Sequence, residues 1–109
     1  MGVVVKAPRL TVRNQPIETG LARVSQGPRG YDIYFGGKRV GSVSANSSGW
    51  HIYDGWYWCT PSEPDLGIEY MNTHITRAPT KEQARDECLM YVRACLVLKG
   101  LIKLKRKKL

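Results

Sequence analysis

Two histidines, His51 and His74, and three cysteines, Cys59, Cys88 and Cys95, are the side chains of this 109-residue chain best suited to metal or nucleophilic chemistry. Their spacing argues against both uses, because none of them forms the close sequence pair from which zinc sites are built. Along a helix rising about 1.5 Å per residue, Cys88 and Cys95 stand roughly 10 Å apart, too far to bridge or to share a tetrahedral ion. Free cysteine is among the most buried residue types, so these three read as structural thiols. Nothing in the spacing supports a Cys59 nucleophile assisted by His51 or His74. Gly36-Gly37-Lys38 lacks the upstream glycine of a phosphate loop, and Arg39 replaces the hydroxyl residue that would hold magnesium. With no acid–base or nucleophile constellation to assemble, the chain is expected to be non-catalytic, with neither a metal nor a cofactor.

Binding chemistry is better represented. The last eleven residues carry Lys99, Lys103, Lys105, Arg106, Lys107 and Lys108 with no acid among them, whereas the preceding 98 carry eleven basic and nine acidic side chains. The tail therefore sets the electrostatics of a chain with net charge +8, and a like-charge run of this kind seeks a polyanion. Residues 1–30 are also basic, with Arg9 and Arg13 among five cations against Glu18 alone. If the termini meet, Arg9, Arg13 and the tail form one positive surface. Leu98, Leu101, Ile102 and Leu104 before the final basic run would suit an anionic membrane surface, but Gly100 and the brevity of the segment disfavour insertion.

The second binding feature is aromatic. Trp50, Tyr53, Trp56, Tyr57 and Trp58 fall within nine positions. On one continuous strand Trp50, Ile52, Trp56 and Trp58 share a face, and His51, Tyr53, Tyr57 and Cys59 share the other. The tryptophans are expected in the core, which a chain with a single Phe must fill with something large. Tyr53 and Tyr57, if exposed beside basic side chains, form either a stacking platform for single-stranded nucleic acid or a protein-binding hot spot.

These groups must be positioned by strands followed by one helix. Tyr31–Phe35, Gly36-Gly37 and Arg39–Ser44 spell a hairpin, because Gly-Gly tolerates the positive φ of tight turns. Trp50–Thr60 favours strand, with Asp54-Gly55 as a turn or a bulge within it. Gly67–Thr76 alternates well enough for a further strand, with Ile68, Tyr70, Asn72 and His74 on one side. Val3–Val5, Leu10–Val12 and Leu21–Val24 offer short extended pieces. Thr80 and Gln83 make a capping box opening a helix in which Ala84, Cys88, Tyr91, Val92, Cys95 and Leu98 recur at helical spacing, and Gly100 stops it. Ala94–Leu98 is apolar nearly all round, which predicts burial on more than one side. The helix opening, Thr80-Lys81-Glu82-Gln83-Ala84-Arg85, resembles the start of the last helix of double-stranded RNA-binding domains at Lys81, Ala84 and Arg85. Glu82 departs from that pattern, and the family's N-terminal helix and His-bearing loop have no counterpart, so no membership is drawn.

The expected architecture is α+β: a small antiparallel sheet of three to five strands packed by one C-terminal helix over residues 1–100, with residues 101–109 as a basic tail. Ordinary hydrophobic content of 42% and the absence of a long apolar run exclude a disordered body and a helical membrane span. An odd cysteine count and no secretory leader suggest the cytoplasm. The expected function is nucleic-acid binding (DNA or RNA) through Arg9, Arg13, Lys103, Lys105, Arg106, Lys107 and Lys108, with Tyr53 and Tyr57 stacking bases. The alternative partner is a protein: the chain would be a phage or mobile-element inhibitor or adaptor docking on a larger host machine.

Overall fold

The computed structural model describes residues 8–15, 30–45 and 55–103. Five strands form one antiparallel sheet in chain order: β1 (Leu10–Asn14), β2 (Tyr31–Phe35), β3 (Lys38–Ala45), β4 (Trp56–Thr60) and β5 (Met71–Asn72). Among the described residues one α-helix, α1 (Lys81–Leu98), packs over β3 and β4 and reaches β2. This is the expected α+β architecture, at the upper end of the expected strand number. Among the described residues no helix is long and apolar enough to cross a membrane.

The β2–β3 hairpin turns on Gly36-Gly37 as its sequence dictates, with Gly36 at φ 64° and Phe35 opposite Lys38. Two-residue closure places Tyr34 opposite Arg39, but the register then shifts, so that Ile33 faces Gly41. The extra residue is Val40. The bulge lets Val40 and Gly41 both turn inward, which breaks strict alternation and puts two consecutive residues in the core.

Ile33 and Phe35 of β2, Val40 and Val43 of β3, and Trp58 of β4 meet Ala84, Cys88, Val92 and Leu96 of α1 to form the core, with Ile68 and Ala78. Trp58 is placed there by its neighbours as well as by its size. Its indole N–H donates to Glu87 Oε1 at 3.4 Å, its ring lies 5.5 Å from that of Tyr91, and Thr73 Oγ1 accepts from its backbone N–H at 2.8 Å. The one fully buried hydroxyl in this region, Thr60, donates to Glu69 O at 2.7 Å.

The helix starts where Thr80 Oγ1 accepts from the Gln83 backbone N–H at 3.1 Å. The Gln83 amide turns instead to Glu87 Oε2, so only half of the expected capping box forms. At the other end Gly100 takes φ 80°, its N–H bonds Val97 O and that of Leu101 bonds Leu96 O, a Schellman closure. Two expectations are corrected. Leu98 is 88% exposed, and Ala94 is exposed with it, so the apolar C-terminal turns are buried on one side only. The strand expected over Gly67–Thr76 shrinks to Met71–Asn72, because Gly67 adopts φ 70° and Asn72 Oδ1 accepts from the His74 N–H, ending the ladder in a side-chain turn. Val3–Val5, Leu21–Val24 and Trp50–Asp54 lie outside the described residues.

Candidate nucleic-acid interface

Because Leu10 packs toward the core, its neighbours Arg9, Thr11 and Arg13 fall on the sheet face opposite α1. Register carries that face across the sheet. Thr11 stands opposite Tyr34 and Tyr34 opposite Arg39, while Arg13 faces Asp32, Asp32 faces Ser42 and Ser42 faces Cys59. Three arginines, all exposed, therefore surround one tyrosine. The Arg13 guanidinium carbon lies 4.6 Å from the Tyr34 ring centroid. Arg9 is held at the hairpin end of the sheet, where its carbonyl accepts from the Gly36 N–H.

An acid interrupts this basic face. Asp32 is buried beneath it, and Gln15 Nε2 donates to its carboxylate at 3.3 Å. The Gln15 side chain also accepts from Gly30 N at 3.2 Å, so it ties β1 to the start of β2. Lys38, at the hairpin tip, is already paired with Glu63 at 2.7 Å, and that hydrogen bond raises its pKa. Beyond Arg39 and Ser42 the face runs into a polar cleft of about 410 Å³ that Cys59, Glu63 and Tyr70 also line.

Tyr57 lies on this face too, opposite Ser44. It is half-buried, with His74 edge-on to its ring at 5.6 Å and the Arg77 guanidinium 4.7 Å from its centroid. Arg77 is held there by donating to His74 O and Gly55 O, at 3.1 and 3.2 Å. The expected stacking residue is thus already stacked upon by a structural arginine. Lys81 and Arg85, the residues that resemble an RNA-binding helix, both sit over the Tyr31 ring, at 5.2 and 5.4 Å.

The helix fixes where the tail departs. Its N-terminal turns lie at Tyr31, its middle at Gly41, and its last turn at Gly67, which follows the Glu63 that pairs with Lys38 of the hairpin. So α1 runs in the same direction as β2 and ends at the hairpin end, where Arg9 also lies. Ile102 packs against the core, and Lys103 follows it, exposed. Tyr53, Lys105, Arg106, Lys107 and Lys108 lie outside the described residues.

Cys59 and Cys88 have little nucleophilic character. Burial raises the pKa of Cys59 and pushes that of Cys88 up to about 12. Among the described residues no cluster of three His, Cys, Asp or Glu side chains forms that would hold a metal ion. Sequence reasoning passed over Tyr34 and Arg39, although the two-residue turn between Phe35 and Lys38 already implies their pairing. Comparison of the chain with protein-family models, with curated proteins and with solved structures finds no match in any of the three.

Proposed function

We propose that this chain is a small, non-catalytic nucleic-acid-binding accessory protein of the cytoplasm. The observation that carries the reading is the convergence of Arg9, Arg13 and Arg39 around Tyr34 on the sheet face, at the end of the fold from which the basic tail departs. The guanidinium groups neutralise phosphates, Lys103 and the tail residues Lys105, Arg106, Lys107 and Lys108 extend the footprint, and the exposed Arg13 guanidinium, backed by the Tyr34 ring, offers a plane on which a base can stack. Tyr57, covered by Arg77, shapes the margin of the site. Binding of this kind is governed by backbone charge, so it is salt-dependent and indifferent to sequence. Three unpaired thiols suit a reducing compartment.

A protein-interaction module, of the kind that phages and mobile elements use to engage a host machine, is the second reading. Tyr70 and Ile75, 64% and 75% exposed beside the cleft strand β4, are the observation that favours it.

Fluorescence anisotropy of the full chain against single- and double-stranded DNA and RNA, across a salt series, tests the first reading. Substitution of the tail is preferable to truncation, because Ile102 belongs to the core. Replacing Arg9, Arg13 and Arg39 together by Ala is expected to lower the slope of log K against log salt by about 2 to 3, at 0.7 to 0.9 per phosphate. Binding that vanishes at physiological salt, or that neither this triple variant nor tail neutralisation changes, would refute it.

A further inference from the structure

Among the described residues, the outer side of α1 carries an apolar surface that the sheet does not cover. Met90 is 67% exposed and Leu98 88%, and with Leu89, Ala94 and Val97 they line a groove of about 620 Å³. Single exposed apolar residues need no explanation, but a continuous stripe on one helix does. Positions 90, 94 and 97 are spaced four and three residues apart, the spacing at which one helix packs along another. Ala94 at the centre allows close backbone approach.

We infer that this stripe is an isologous interface, on which a second copy of the chain packs its own α1 antiparallel about a two-fold axis near Ala94. Charge decides the occupant and the direction. The outward residues before the stripe are acidic or polar (Glu82, Gln83, Asp86), and the exposed charged residues after it are Lys99 and Lys103, both cations. An antiparallel pair sets the acidic end of each helix against the basic end of its partner, and opposes the two helix dipoles favourably. A parallel pair would set like against like. Asp86 is bonded to Arg85 through one oxygen at 3.0 Å, and its side chain remains 66% exposed for a further partner. Arg93 borders the groove and is long enough to extend from its rim into solvent. A two-fold pair repeats each contact twice, so modest terms double. The sequence itself points this way, since residues 94–98 are apolar on more sides than one sheet can cover.

Sedimentation equilibrium of the full chain, free of nucleic acid and taken from micromolar to millimolar concentration, tests this. A reversible dimer is expected. Met90→Glu with Leu98→Glu, both exposed and so compatible with folding by circular dichroism, should weaken it at least about tenfold. Asp86→Lys or Lys103→Glu alone should weaken it about two- to fivefold, and the two together should restore it. A chain that stays monomeric, a dimer indifferent to Met90→Glu with Leu98→Glu, or a charge swap without recovery would each overturn the proposal. So would a monomer that binds anionic vesicles through Met90 and Leu98, which would assign the stripe to a membrane.

Discussion

Gly41 lies directly beneath Cys88 of the helix, and adding one methyl there measures how tightly the two layers are joined. An Ala Cβ at this position would lie 2.7 Å from Cys88 Sγ, and 3.6 Å from both Ile33 Cβ and Cys59 O. The backbone φ is not positive, so Gly41→Ala meets a steric obstacle rather than a conformational one. Leaving Gly in a strand gains nothing for the fold, and Ala alone would add about 0.5 to 1 kcal/mol through reduced chain entropy. Against this stands overpacking, typically about 1 to 3 kcal/mol, since Cys88 is fully buried and interiors are close-packed. The net expectation is a loss of about 1 to 2 kcal/mol, or a fall in Tm of about 4 to 16 °C for a domain of this size. Cys88→Ala alone leaves a small cavity and also destabilises. In the double variant the new methyl occupies the volume the sulfur vacates. Its stability should therefore exceed the sum of the single losses by about 1 kcal/mol or more. Urea unfolding of all four proteins gives the cycle directly. Strict additivity within about 0.5 kcal/mol, or a stabilising Gly41→Ala, would show that the layers are not packed as described.

Two further outcomes follow from the same contacts. Thr80→Ala removes the acceptor for the Gln83 N–H and should cost about 1 kcal/mol in denaturant unfolding, whereas Thr80→Ser should cost little. Cys88 titrates at about 12 in the fold, against an ordinary thiol value near 9, so the unfolded chain releases its proton first as pH rises. Its stabilising contribution is complete below pH of about 9 and is lost between about 9 and 12, at up to about 1.4 kcal/mol per pH unit. The alkaline slope of stability should be measurably shallower in Cys88→Ala, and an identical slope in the two proteins would contradict the burial of the thiol.

The parts of the fold legible in the sequence are those whose ends are written in local chemistry. Gly36-Gly37, Thr80 and Gly100 each act on their immediate neighbours, and the hairpin and helix begin and end as they require. The length of β5 was not legible, because Asn72 closes the strand with its own side chain, a choice that alternation of apolar residues does not register. Nor was the side on which Leu98 would fall. Leu96 and Leu98 are both plausible core residues by type, and only the path of α1 over β3 and β4 separates them. For the site, Arg9 and Arg13 could be named from charge, but placing them beside Tyr34 needed the pairing of β1 with β2. The bulge at Val40 then moves Ser42, rather than Gly41, opposite Asp32, a one-residue shift that no composition-based argument anticipates.

One core between one sheet and one helix leaves two outward faces, and here they differ in kind. The sheet face carries guanidinium groups and a tyrosine, with a buried carboxylate held in check by Gln15. The helix face carries Met90, Ala94, Val97 and Leu98. A polyanion satisfies the first and gains nothing from the second, since phosphate has no affinity for an apolar groove. An apolar partner satisfies the second and would leave the arginines unpaired. The two faces therefore call for different partners, and because α1 separates its outer stripe from the sheet by the full thickness of the core, both can be engaged at once. That independence has a consequence for mutants: loss of Arg9, Arg13 and Arg39 should weaken nucleic-acid binding without changing self-association. Met90→Glu with Leu98→Glu should weaken self-association at least about tenfold while leaving the affinity of each monomer for nucleic acid in place. Any loss of binding in that second variant measures avidity, the gain from holding two basic faces together.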